Sequence, residues 1–409
     1  MALIHPFRAL RPVPEMAAAV AAVPYDVVSR EEACALAEGN PHSFLHVSRA
    51  EIDLDIQTNP YADVVYRKAA ENLEVLRQSV PLVVEEEPSL YFYRLQDGSH
   101  QQTGLAGCYS IDEYERGIIK RHERTRADKE DDRTRHIVAV RAQTGIAFLT
   151  YRAPEEIVAL QARACGDAPL FEITAPDGVR HMVWRLTDAD QEAAVKALAG
   201  VTTLYIADGH HRIASAARVR NELGKANNHD LSTEAGYFLG VAFPDIETRI
   251  LPYNRTVSDL AGMTSDEFLA VIKSRFPVVS GVQPVPPKGE IRMYLAGQWH
   301  SVNLDADNSS AGSDLVATLD VMRLQNQILE PLLEVVDIRT DPRMAFVGGI
   351  KGTEELERLV DSGSAAVAFS LAAVTTDELL AVSDADAIMP PKSTWFEPKL
   401  RDGLLIHML

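Results

Sequence analysis

The chain has 409 residues, 46% of them hydrophobic, and a formal charge of −19 at pH 7. That length exceeds what one hydrophobic core supports and predicts two or three subdomains. The acidic total argues against non-specific nucleic-acid binding, which needs a basic face, but leaves room for a small basic pocket. Cys34, Cys108 and Cys165 are far apart in sequence and form no CxxC pair. With an odd count, they read as structural thiols in a reducing cytoplasm rather than as a disulfide scaffold. The opening stretch MALIHPFRALRPVPE has no long apolar core or cleavage site, so no signal peptide is expected. No run approaches about 18 uninterrupted apolar residues, so no membrane span is expected either.

In chain order, the first 24 residues are broken by Pro6, Pro12, Pro14 and Pro24. Ser29 with Glu32 reads as a capping box that opens a helix over 33–37, which Asn40-Pro41 stops. Residues 43–47 read as a strand. Residues 61–78 carry the helical spacing Val64, Val65, Ala69, Leu73, Val75 and Leu76. Residues 90–94 and 104–110 form a hairpin-like pair around Asp97-Gly98. An apolar stretch at Ile118-Ile119 runs into Arg121-His122-Glu123 and then a densely charged segment, 126–135, that contains a helix continuing through 137–142. Such charge runs are commonly solvated helix faces. A side chain just beyond a strand end, however, can face a cleft. Residues 145–151 and 180–186 read as strands, and Thr187 starts a helix with acids in its first turn.

The most informative stretch is LYIADGHHRIASAA, residues 204–217. An apolar, β-branched run ends at Asp208-Gly209, and helical spacing starts at once with Ile213, Ala214, Ala216, Ala217 and Val219. This predicts a strand, a tight turn and a helix. Gly209 permits a positive φ or a close backbone approach. The N–H groups at the helix start attract an anion, and His210, His211 and Arg212 add donors suited to phosphate oxygens. Asp208 would orient a histidine, support Mg²⁺ through its hydration shell, or cap the helix. Two other readings stand beside the anion site: a turn of purely structural role, and a metal site. Adjacent histidines share no helix face, which makes His210 and His211 poor joint ligands.

Further on, 236–243 and 250–255 read as strands, the second ending at Arg255, which meets an anion or is a plain surface residue. A helix over 265–275, a hairpin of 292–296 with 299–304, a helix over 319–333, a strand at 367–370 and a helix capped by Thr375 complete the pattern. The polar stretch 305–314 reads as a surface loop. Near the end, MPPKSTWFEPK (389–399) packs lysines, hydroxyls and aromatics between rigidifying prolines. Lys392, Ser393 and Thr394 are candidates to hold phosphate oxygens, and Trp395 or Phe396 to line an apolar pocket. The alternative is a tail that docks its aromatics on a core. The glycines of a Walker A loop are absent.

These motifs resemble those of a widespread prokaryotic family of uncharacterised function. They are the Asp208–Arg212 turn, Val23-Pro24-Tyr25-Asp26-Val27, Arg121-His122-Glu123 with Lys129-Glu130 and Asp132-Arg133, and the 389–396 stretch. The turn alone also resembles the phosphate-binding turn of free serine kinases, which share a fold with ParB and sulfiredoxin. The resemblance implies an α+β fold with a mixed-sheet, ParB/sulfiredoxin-like core over 86–257, an N-terminal α/β segment over 1–85 and a C-terminal α+β domain over 258–409. It implies a kinase for free L-serine that uses Mg²⁺ with ATP or ADP. Glu123 is the first candidate for the general base, Asp26 the second, and Asp208 a supporting acid. Gly209, His210, His211 and Arg212, with Lys392, Ser393 and Thr394, are the expected phosphate ligands. Arg255, Trp395 and Lys399 are the expected substrate contacts. Expected partners are a nucleotide and a small-molecule substrate, with no nucleic acid or membrane; a homodimer is compatible. A ParB-like nucleotide switch without turnover and a metal-dependent hydrolase using His210, His211 and Asp208 remain the alternatives.

Overall fold

A computed structural model describes residues 2–79, 82–226, 233–304 and 314–409. It divides into two compact units, one of Met1–Thr248 with Pro398–Leu409 and the other of Arg249–Glu397. The expected segments 1–85 and most of 86–257 therefore fall together, and the last residues of the chain return to them.

The first unit is built on a nine-stranded mixed sheet. Its strands are β1 (Ile4–His5), β2 (Tyr91–Asp97), β3 (His100–Ser110), β4 (Ile119–Lys120), β5 (Ala147–Tyr151), β6 (Phe171–Thr174), β7 (Arg180–Arg185), β8 (Leu204–Asp208) and β9 (Tyr237–Pro244). The order is β4-β8-β5-β9-β3-β2-β7-β6, with β1 added against β3. Pairs β4/β8 and β5/β9 are parallel and the remaining pairs antiparallel. The hairpin expected at Asp97-Gly98 is β2–β3, with Asp97 opposite His100. The sheet buries Leu105, Tyr109, Leu149, Ile206 and Phe238 against Ile213, Ala216 and Ala217. Each such large apolar side chain contributes about 1.5–3 kcal/mol.

Four helices of this unit bear on the site: α1 (Arg30–Ala37), α2 (Asp63–Ser79), α3 (Ala127–Val140) and α4 (His210–Ala226). Helix α1 has the full Ser29/Glu32 capping box. Helix α2 buries Val65, Ala69, Leu73 and Leu76 as one stripe, packed with Ala33, Val140, Ala142 and Ile406. A four-stranded antiparallel sheet joins Leu82–Val84, Ala9–Pro12, Ile406–Met408 and Ala142–Gln143, which ties the chain's last residues to its first.

Two local expectations are corrected. Residues 43–47 do not form a strand: Leu45–Ser48 is one helical turn, with Ser48 N–H donating to Phe44 O over 3.0 Å. Phe44, Leu45 and Val47 are all buried, and a short apolar run satisfies burial in either conformation. In the second unit, the helix expected over 319–333 is interrupted by a π turn at Gln325–Leu329 between Asp320–Leu324 and Glu330–Leu333. Pro331 has no N–H to give to the preceding turn, and widening the helix there accommodates the loss.

The second unit holds a six-stranded antiparallel sheet. Its strands run Val278–Ser280, Gln298–Asn303, Glu290–Leu295, Val367–Leu371, Tyr253–Val257 and Met344–Gly348 in spatial order. Residues 305–313 of the predicted surface loop lie outside the described residues. No described helix is long and apolar enough to cross a membrane.

Candidate functional site

Strand β8 leads straight into α4, as the apolar run followed by helical spacing predicts. The β8/β5 register shifts between Ile206 and Asp208, and Gly209 follows with φ of +92°. A Cβ at Gly209 would lie 3.2 Å from Arg212 Cδ and 3.4 Å from Ala147 Cα. The left-handed φ alone makes glycine the residue of choice there. Gly209→Ala is therefore expected to cost about 1–3 kcal/mol in chemical denaturation, from backbone strain. Arg212 and Ile213 donate to Gly209 O over 2.9 and 3.2 Å, which closes the first helical turn. The earliest N–H groups of a helix point outward with no acceptor in the helix itself.

The neighbour of this turn comes from the parallel strand. Ile119 pairs with Leu204 and Lys120 with Tyr205. Carried forward, that register brings His122 and Glu123 alongside the end of β8. His122 and His210 meet edge to face, with ring centroids 4.6 Å apart. One ligand atom from each of His122, Glu123 and His210 falls within 4.8 Å of the other two. Both imidazoles are buried, and Glu123 is partly exposed. Burial lowers His122 to about 4, its backbone hydrogen bond to Ile206 opposing. Burial, then His122 itself, holds His210 well below its ordinary value. His210 Nε2 is buried without a hydrogen-bond partner among the described residues.

The rest of the turn is tied by ion pairs. Arg212 Nη2 donates to both Asp26 oxygens, over 2.9 and 3.0 Å, and Nη1 donates to Ile146 O over 2.7 Å. Its guanidinium lies 5.6 Å from the Tyr25 ring centre, and Arg133 lies 4.0 Å from that same ring centre. Lys399 Nζ donates to Asp208 Oδ2 over 3.1 Å. Burial opposes ionisation of Asp208, but Lys399 and then Arg212 keep its carboxyl far below the ordinary range. His211 Nε2 accepts from Arg126 N–H over 3.0 Å. Beside Arg212, a narrow cavity of about 20 Å³ is lined by Tyr25, Arg133, Thr144 and Gly145, room for a single water. A larger cavity of about 380 Å³, between His46, Asp53, Lys68 and Asn72, contains none of the predicted site residues.

One acid beneath this network has no counterpart in the sequence reading. Asp402 is only 2% exposed, and its Oδ2 has no hydrogen-bond partner among the described residues. Burial raises it from 3.8 to about 7; Arg212 opposes that rise and Asp26 adds to it. A carboxyl whose folded value lies above its unfolded value binds an extra proton in the native state between the two. Stability therefore falls as pH rises from about 4 to 7. At about 1.4 kcal/mol per unit, the cost above pH 7 reaches up to about 4 kcal/mol. Asp402→Asn is expected to flatten this slope and to raise the urea midpoint at pH 8 more than at pH 5.

The predicted residues thus form two groups. Asp26, Glu123, Asp208, Gly209, His210, His211, Arg212 and Lys399 belong to the first unit and are connected as described. Arg255, Lys392, Ser393, Thr394 and Trp395 belong to the second. Arg255 is not a surface arginine: it is 1% exposed, donates to Tyr253 O over 2.9 Å and lies 5.5 Å from the Phe346 ring centre. Trp395 packs edge-on against Tyr253 at 5.2 Å and donates to Glu397 over 2.8 Å. Lys392 Nζ lies 5.3 Å from the Tyr253 ring centre, and the Ser393 hydroxyl donates to Pro390 O over 2.7 Å. The hydrolase ligand set His210, His211 and Asp208 is corrected too. His211 turns to Arg126 and Asp208 to Lys399, and the cluster that forms is His122, Glu123 and His210.

Residues 4–322 match the family described as "Protein of unknown function (DUF1015)". Among solved structures, SbnI with a C-terminal truncation from Staphylococcus aureus is 11% identical, with a TM-score of 0.39 over 74% of this chain and 87% of that one. A free serine kinase in complex with AMP is 12% identical, with a TM-score of 0.38 over 73% and 91%. A conserved hypothetical protein from Pyrococcus furiosus is 13% identical, with a TM-score of 0.35 over 73% and 94%. No curated protein sequence matches.

Proposed function

The chain belongs to the DUF1015 family, and we propose that it is a nucleotide-dependent small-molecule kinase with its phosphate site at the Asp208–Arg212 turn. The observation that carries this reading is a positive-φ glycine directly preceding a 17-residue helix whose first turn holds His210, His211 and Arg212. Outward N–H groups and the helix dipole at that end suit phosphate oxygens, and His211 is the partly exposed basic side chain of the turn.

A bound nucleotide would supply the phosphoryl group, and Asp208 would be the residue to help hold its accompanying Mg²⁺. The chain's own residues do the rest. Lys399 keeps Asp208 ionised and in place. Asp26 fixes Arg212 through a two-oxygen contact, so both of its carboxylate oxygens are engaged. Glu123, partly exposed and beside His210, is proposed as the base that takes the proton of an acceptor hydroxyl. The cavity beside Arg212 has room for only one water, so a nucleotide approaches from the partly exposed side of Glu123 and His211. The acceptor implied by the motif's resemblance is free L-serine, which gives O-phospho-L-serine.

The test is phosphorus NMR of the full chain with Mg²⁺, ATP or ADP, and a mixture of hydroxyl-bearing metabolites that includes L-serine. A phosphomonoester signal matching O-phospho-L-serine, absent with His211→Ala, is the expected result. A match to another hydroxyl compound would keep the kinase and replace the substrate. Nucleotide-dependent thermal protection with no product in any mixture would overturn the kinase in favour of a nucleotide switch.

A further inference from the structure

We propose that His122, Glu123 and His210 form a binding site for one divalent transition-metal ion of the zinc, iron, cobalt and manganese class. The three donors arise from two segments, the end of β4 and the start of α4, which the parallel β4/β8 pairing aligns. Their ligand atoms lie within 4.8 Å of one another. Ligands about 2.0–2.1 Å from a tetrahedral zinc are about 3.3 Å apart, so an inward movement of at most about 1.5 Å completes the site.

Three further observations point to a metal. His210 Nε2 is buried and unpartnered. His122 already directs one ring nitrogen to the Ile206 carbonyl, the outer contact that fixes the tautomer of a ligating imidazole. The Asp208 carboxylate adds negative charge within electrostatic reach of both rings. Two imidazoles and one carboxylate suit borderline metals; Mg²⁺ prefers an all-oxygen shell and keeps its waters. This ion is therefore distinct from a Mg²⁺ that accompanies a nucleotide. A carboxylate bound through one oxygen leaves the other to take a proton, so the role proposed for Glu123 is compatible with ligation.

This proposal rests on reading the turn as the functional site but not on kinase chemistry, and metal analysis reads it without turnover. Elemental analysis of the purified full chain is the first measurement. Titration of the chelator-treated chain with Zn²⁺, and with Co²⁺ followed by its visible absorption, is the second. One equivalent per chain is expected, undisturbed by excess Mg²⁺. His122→Ala and His210→Ala are expected to weaken binding by more than the roughly 10–100-fold that outer-shell changes produce; His211→Ala is expected to retain the metal. Circular dichroism checks that each variant is folded. If a variant does not fold, the wild-type stoichiometry and the Co²⁺ spectrum decide. No bound metal and no Zn²⁺ or Co²⁺ binding below millimolar concentration would overturn the proposal, as would full binding by folded His122→Ala and His210→Ala. Phosphoryl transfer by a chain that binds neither Zn²⁺ nor Co²⁺ would remove this site while leaving the kinase intact.

Discussion

Arg212→Ala is expected to destabilise the chain by about 3–5 kcal/mol, the range for stripping one partner from a buried ionic network. Arg212 is 8% exposed and serves several groups at once: both oxygens of Asp26, the Ile146 carbonyl, and the charges of Asp208 and Asp402. Removing it leaves Asp208 with Lys399 alone and Asp402 with less opposing charge. Because Asp402 is fully buried and Asp26 is not, the penalty belongs mainly to Asp402. Two consequences separate this explanation from simple loss of packing. The deficit shrinks at pH 5, where Asp402 carries its proton, and Asp402→Asn recovers more of it than Asp26→Asn does. Urea unfolding of the single and double variants at pH 5 and pH 8 measures both. A loss under about 1 kcal/mol at pH 8, or equal recovery by the two carboxamides, would show that the network does not act this way.

Glu123→Gln is expected to lower kcat of phosphoryl transfer by about 10²–10⁴-fold, the usual contribution of a positioned general base. The amide keeps the shape of the side chain but cannot accept the proton. A base acts on the reacting hydroxyl in the transition state, so KM for the acceptor is expected to change little. A residue that merely shaped the pocket would move KM with kcat. Steady-state kinetics of wild type, Glu123→Gln and Asp26→Asn distinguish the two carboxylates. A larger kcat loss for Asp26→Asn would transfer the base to that residue.

Local signals in the sequence read well where the physics is local. The Ser29 capping box, the Asp97-Gly98 hairpin and the Thr375 cap each rest on groups a few residues apart, and each is present. The turn at Asp208-Gly209 was legible because the change from apolar run to helical spacing falls within a few residues. What assembles around that turn was not. Asp26 meets Arg212 across 186 residues, and Lys399 meets Asp208 across 191. The parallel pairing that brings His122 and Glu123 to His210 joins a two-residue strand, too short to carry a pattern. Asp402 sits in a stretch with no motif at all, and its burial is a property of the packing. The Ser43–Val47 error has a different cause: a short apolar run encodes burial, and burial alone does not choose between strand and helix.

Calorimetric titration of the full chain with AMP, ADP and ATP in Mg²⁺, compared with Gly209→Ala at a temperature where both are folded, measures the phosphate site directly. Backbone N–H groups arranged around oxygens of a polyphosphate predict binding that tightens as phosphates are added and that falls at least tenfold in Gly209→Ala. Equal, weak titrations for all three nucleotides, or undiminished affinity in Gly209→Ala, would contradict it.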